Sequence, residues 1–198
     1  MKNNEKRLFR LGEHIKIIYR ASFGFLYLKL TKKKKVMNFK FKERIMLAIT
    51  EVNGCALCSY VHTKLALKSG LTDLEIKELL SGELENVPAD ESLAILFAKD
   101  YAYNHEKIDQ EFYQRLIERY GLLKTKAILS ASEVITMTNS MGISLGLLKN
   151  TLTLKHVKGS CILDELLIPI STMIFFPIFT ILFFFLMPFK LRKLYKTA

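Results

Sequence analysis

Two cysteines, Cys55 and Cys58, stand three residues apart in the stretch NGCALCSYVH, and His62 follows four residues after the second. On a helical turn, that C-x-x-C spacing lets two thiols approach closely enough to close a disulfide. His62 projects from the same helical face as Cys58, where an imidazole can take up a thiol proton. Such help matters because the thiolate is the reactive species, and a free thiol with a pKa of about 8.5 is mostly protonated at neutral pH. If the pair opens a helix after Asn53 and Gly54, the positive end of the helix dipole adds to the activation. Glu43, twelve residues before Cys55, is a candidate to orient His62 or to relay a proton through water, with Glu51 as a competing carboxylate. The chemistry on offer is dithiol redox chemistry. The same residue types also suit zinc, with Glu43 as a fourth ligand, although structural zinc sites draw on loops or knuckles and this motif sits in a helical pattern. Two buried, inert cysteines are the other alternative.

The elements around the motif read as helices, because apolar positions repeat at three and four and no stretch sustains two-residue alternation. The spacing predicts helices over 41–52 and 55–69, the second stopping at Gly70. Thr72 and Glu75 form a capping box that starts a short helix towards Leu80. Further helices are predicted over 90–105, 109–120 and 123–148, with Gly121 separating the last two. Upstream, Leu8, Leu11, Ile15, Ile18 and Phe25 alternate with Arg7, Arg10, Lys16 and Arg20 in the pattern of an amphipathic helix. That helix either packs on the domain or lies on lipid. Lys32 to Lys35 read as a charged hinge.

Half the residues are apolar and 11% are aromatic, which excludes a disordered chain. The net charge of +11 is uneven. Residues 1–39 carry eleven Lys/Arg against two acids, residues 40–150 thirteen against fifteen, and residues 151–198 six against two. The basicity therefore lies in two arms. That suits an anionic membrane surface better than a nucleic-acid groove, and no nucleic-acid partner is expected. Three cysteines, two of them adjacent in spacing, are no secreted disulfide framework. The N-terminus lacks the pattern of a signal peptide, so the redox domain is expected on the cytoplasmic face of a membrane.

Membrane attachment is expected from the last segment, where 24 residues from Leu166 to Phe189 carry no charge, long enough to cross a bilayer. Pro169, Pro177 and Pro188 interrupt it, and Pro177 near its middle raises a re-entrant hairpin as the alternative to a single span. Lys149, Lys155 and Lys158 on one side and Lys190, Arg192, Lys193 and Lys196 on the other leave orientation undecided by the positive-inside count. Cys161 reads as a small apolar thiol near this boundary. His14 and His156 fall in the basic arms, His105 at a helix end, and Phe175, Phe176 and Phe183 to Phe185 read as lipid-facing bulk.

The stretch ERIMLAITEVNGCALCSYVHTKLALKSGLTDLEI resembles the core of the carboxymuconolactone decarboxylase and alkyl hydroperoxidase D superfamily. The shared features are a Glu twelve positions before the first cysteine, the C-x-x-C, a His after three more residues, and a Gly-Leu-Thr turn into an acidic helix. YGLLKTKAILSASEVITMTNSMGISLG is similar to the long helix that ends this fold. The resemblance implies an all-α redox domain over residues 40–150. Around it the sequence suggests a basic arm over 1–39, a linker over 151–165, a membrane segment over 166–189 and a basic tail over 190–198. In the peroxidase branch the second cysteine attacks peroxide and the first resolves the sulfenic acid, which would make Cys58 peroxidatic and Cys55 resolving. Glu43 and His62 would then form the proton relay. Some members place a further His between the cysteines, where this chain has Leu57.

The reading is a membrane-tethered, thiol-dependent peroxidase that reduces a hydroperoxide through a Cys55–Cys58 dithiol. It expects no tightly bound cofactor or metal, an external thiol- or lipoyl-bearing reductant protein, and a homo-oligomer, with trimers or hexamers implied by the resemblance. Two alternatives stay open: an enzyme of the decarboxylase branch, and a non-catalytic membrane-bound interaction protein.

Overall fold

The computed structural model describes residues 7–32 and 34–196, with side chains through residue 186. Its elements are α1 (Leu11–Lys32), α2 (Phe39–Asn53), α3 (Ala56–Ser69), α4 (Asp73–Ser81), α5 (Ser92–Tyr103), α6 (Gln110–Leu152) and α7 (Ile162–Lys196). The described residues contain no strand, so the chain is all-α as the periodicity implies. The Thr72 capping box is formed. Gly121, with φ 74° and ψ 158°, breaks the helical backbone inside α6, where the sequence predicts two helices.

α2 is the buried centre of one layer. Phe41, Ile45, Leu47, Ala48 and Ile49 are almost wholly excluded from solvent, so α2 is covered on every side, by α3, α4, α5 and α6. Its buried polar groups each reach a neighbour. Arg44 bonds Glu91 on the approach to α5 (2.7 Å) and Glu75 of α4 (2.8 Å), and Thr50 Oγ1 lies 3.2 Å from Asn139 Oδ1 of α6. A buried polar group without a partner costs about 1–3 kcal/mol, so these bonds fix how α2 sits among its neighbours.

The second layer lies across α6 and consists of α1 and α7. α1 runs antiparallel to α6, with His14 beside Ser140 and the Tyr27 hydroxyl donating to the Leu123 carbonyl (3.1 Å). Of the two readings of the basic N-terminal helix, the structure therefore shows the packed one. α7 runs parallel to α1, from Asp164, which accepts from the Leu11 N–H (3.0 Å), to Phe183, which stacks edge-on against Tyr19 and Phe23.

Three expectations are corrected here. α7 continues as one helix through Pro177, so no hairpin forms there. Phe183 is buried between α1 and α6 instead of facing outward. His14 is fully buried: its Nδ1 lies 2.6 Å from Ser140 Oγ and its Nε2 2.7 Å from Thr172 Oγ1, pinning α1 to α6 and α7 at once.

Both hydroxyls can also donate to carbonyls of their own helices. A neutral ring has one N–H, so one of the two must turn its hydrogen to the ring instead. Burial pushes the His14 pKa down to about 4, against a smaller opposing pull from Glu13. A base whose folded pKa lies below its unfolded value stabilises the fold fully above about pH 6.5 and loses that contribution as pH falls towards 4. We therefore expect stability to drop by about 3 kcal/mol over that window. Urea unfolding at stepped pH checks this: His14→Gln should remove that part of the slope, and an unchanged slope would contradict the assignment.

Candidate functional site

The dithiol is placed by the turn between α2 and α3. α2 ends at Gly54, whose left-handed conformation (φ 71°) reverses the chain so that Cys55 becomes the N-cap of α3. Cys55 Sγ accepts the backbone N–H of Cys58 at 3.3 Å, a role that Ser or Asp usually fills. The first sulfur therefore sits at the positive end of a helix and already receives a donor, which favours its thiolate.

Cys58 is held differently. Its thiol is pushed well above the ordinary range, first by the hydrogen bond it shares with Cys55, then by burial and by the charge that Cys55 takes on, while its own backbone N–H pulls the other way. Its sulfur also donates to the Thr138 carbonyl at 3.5 Å. Cys58 therefore keeps its proton until a base removes it. Both are enclosed, Cys55 at 1% exposure and Cys58 at 6%, so Cys58 is the slightly less buried residue.

Glu43 and His62 meet as the motif predicts. His62 Nδ1 lies 2.7 Å from Glu43 Oε2, and the other carboxylate oxygen has Lys42 Nζ at 3.4 Å. Glu43 is fully buried, whereas His62 keeps an edge in solvent. The carboxylate therefore fixes the ring with Nδ1–H pointing inward, leaving Nε2 free to exchange a proton. No hydrogen bond joins His62 to Cys58 among the described residues, so a proton passing between them needs a water or a side-chain rotation. Glu51, the competing carboxylate, pairs with Lys99 instead (3.1 Å). Among the described residues no three His, Cys, Asp or Glu side chains are grouped to hold a metal ion.

Sequence reasoning missed the floor and the lid of this site. The floor is Gly142 of α6: a Cβ there would sit 2.8 Å from Cys55 Sγ and 3.2 Å from Cys58 Sγ. A glycine inside a helix costs about 1 kcal/mol relative to alanine, and that cost was the available signal of a close approach. The lid is the segment before α1. Arg7 donates its backbone N–H to the Asn53 carbonyl (3.2 Å), and Phe9 packs in the same apolar cluster as both cysteines. Nothing in the residue types of that segment marked it.

In comparison with family models, residues 23–85 match the Carboxymuconolactone decarboxylase family. The matched stretch contains Glu43, Cys55, Cys58 and His62 and begins within α1. Neither curated proteins nor solved structures gave a match.

Gly142→Ala should leave the helix intact and push at least one sulfur out of place. We expect intramolecular disulfide formation by diamide to slow roughly 10- to 100-fold, followed by mass spectrometry of quenched samples, with little change in unfolding midpoint. An unchanged rate would show that the sulfurs do not use this space.

Proposed function

We propose that this chain, whose residues 23–85 match the Carboxymuconolactone decarboxylase family, is a thiol-dependent peroxidase acting on organic hydroperoxides. The observation that carries the reading is the Cys55–Cys58 pair closed at the start of α3, with the Cys58 N–H on Cys55 Sγ, one turn from a His62–Glu43 pair. Cys58 is the attacking sulfur, being the more exposed and lying one turn from His62.

The cycle begins when Cys58 gives up its proton, which passes through water to His62. The Cys58 sulfur then attacks the terminal oxygen of ROOH, the O–O bond breaks, and RO⁻ leaves, collecting a proton from His62 through water. Cys58 is now a sulfenic acid. Cys55, whose proton passes to His62, displaces hydroxide from it; the hydroxide takes that proton back, and a disulfide and water result. An external dithiol, of thiol or lipoyl type, reopens the disulfide by exchange and is itself oxidised.

Leu57 and Val61, the exposed side chains flanking Cys58 on α3, are apolar and favour an organic peroxide over hydrogen peroxide. With Tyr60 and Leu67 they also give α3 an outward apolar surface that suits self-association. Thiol reductants place the domain on the cytoplasmic side of whatever membrane it contacts.

Organic hydroperoxide consumption with a dihydrolipoyl reductant tests the reading. Cys58→Ser should abolish turnover, Cys55→Ser should stop at a sulfenic acid trapped by dimedone, and Glu43→Gln should lower the rate roughly 100-fold and reshape its pH profile. A Cys58→Ser protein as fast as the parent would overturn the nucleophile assignment. A parent inert with every peroxide and reductant would favour the non-catalytic alternative.

A further inference from the structure

α7 is long and apolar enough to cross a membrane over Ile162–Leu186, yet one side of it is already occupied. Glu165, Ile168, Ser171, Thr172 and Phe183 are buried against the domain. Contacts with α1 run the length of that stretch: Asp164 takes the Leu11 N–H and Arg10, Thr172 meets His14, the Ser22 hydroxyl reaches the Phe176 carbonyl (3.4 Å), and Phe179 and Phe183 pack on Tyr19. The opposite side is a continuous apolar face that includes Leu163, Ile170, Met173, Ile174, Ile181 and Phe184, each between 41% and 77% exposed. Such a face needs a cover.

A crossing helix is the wrong geometry for it. Lys16 is exposed and Arg20 half-exposed on α1, at the level of residues 172–179, the middle of the apolar stretch. If α7 spanned a bilayer with the domain attached, both cations would sit at the depth where charge is most costly. If it left the domain, the buried bonds of His14, Leu11 and Ser22 would be lost.

Charge identifies the cover. Because α1 and α7 are parallel, the exposed Lys29, Lys32, Lys34 and Lys35 lie towards the same end as the stretch of α7 that carries Lys190, Arg192, Lys193 and Lys196. Lys155 and Lys158 stand exposed before the other end. The apolar face is thus bracketed by cations at both ends. A second copy of the chain would bring these clusters towards like charge, whereas anionic headgroups would neutralise them.

We propose that the outer face of α7 is a docking surface for an anionic bilayer, on which the helix lies in the membrane plane and holds the domain flat against it. Both ends of α7 then remain on one side of the bilayer, which accounts for the near-balanced basic flanks that leave the positive-inside count undecided.

The test is flotation of the full chain with preformed vesicles of phosphatidylcholine alone or with added phosphatidylglycerol. Binding should strengthen at least about tenfold with the anionic lipid and weaken with salt. Met173→Glu combined with Ile181→Glu should abolish it without changing the circular dichroism spectrum. Trypsin added outside should cleave the tail after Lys190 in the bound protein. A tail protected from trypsin, with protein resisting alkaline carbonate, would establish a span and overturn the proposal. So would a chain that never floats and runs as a dimer made monomeric by the two glutamates.

Discussion

A carboxylate sealed from water must find a hydrogen-bond donor or give up its charge, and Glu43 meets that constraint through His62. α2 carries Glu43 on the side that faces α3, so the bond sets how α3 lies along α2. The start of α3 in turn sets where both sulfurs fall. The turn at Gly54 and the absence of a side chain at Gly142 then let Cys55 and Cys58 settle on α6. A structural requirement of the core and a chemical requirement of the site are met by the same pair of residues.

The dithiol also lies where the two layers of the fold join. Its sulfurs share an apolar cluster with Phe9, Ile17 and Ile18 of the N-terminal segment and α1, and with Ile168 of α7. The helices of the second layer therefore help to enclose the thiols. Enclosure raises the cost of a thiolate, and the N-cap position of Cys55 offsets part of it. The two sulfurs thus stand in different surroundings, Cys55 capping the start of α3 and Cys58 against the Thr138 carbonyl of α6.

Most of the site was legible in the sequence. C-x-x-C followed by His62 states a helical face, whereas spacing left Glu43 and Glu51 as rivals for its partner, and only the family resemblance favoured Glu43. What was not legible came from contacts between distant segments. α1 showed a helical period but not what would cover it, and its His14 reads as one more polar residue in a basic arm until Ser140 and Thr172 are brought beside it. In α7 the uniformly apolar sequence hid the difference between its faces. Ser171 and Thr172, with Thr180 further along, are the small polar interruptions of that run that hint that one stripe faces protein. Gly142 could have been found through its helix-propensity cost, but nothing in the sequence tells which atoms occupy the space it leaves.

The central claim is that Cys55 and Cys58 act as one redox unit, and counting thiols tests it most directly. Reduced protein is treated with one equivalent of an organic hydroperoxide, alkylated under denaturing conditions and weighed intact, with the modified cysteines mapped by peptide mass. Cys55 and Cys58 should disappear together into a single intramolecular disulfide while Cys161 remains alkylated. Three alkylated cysteines, or a loss that involves Cys161, would contradict it.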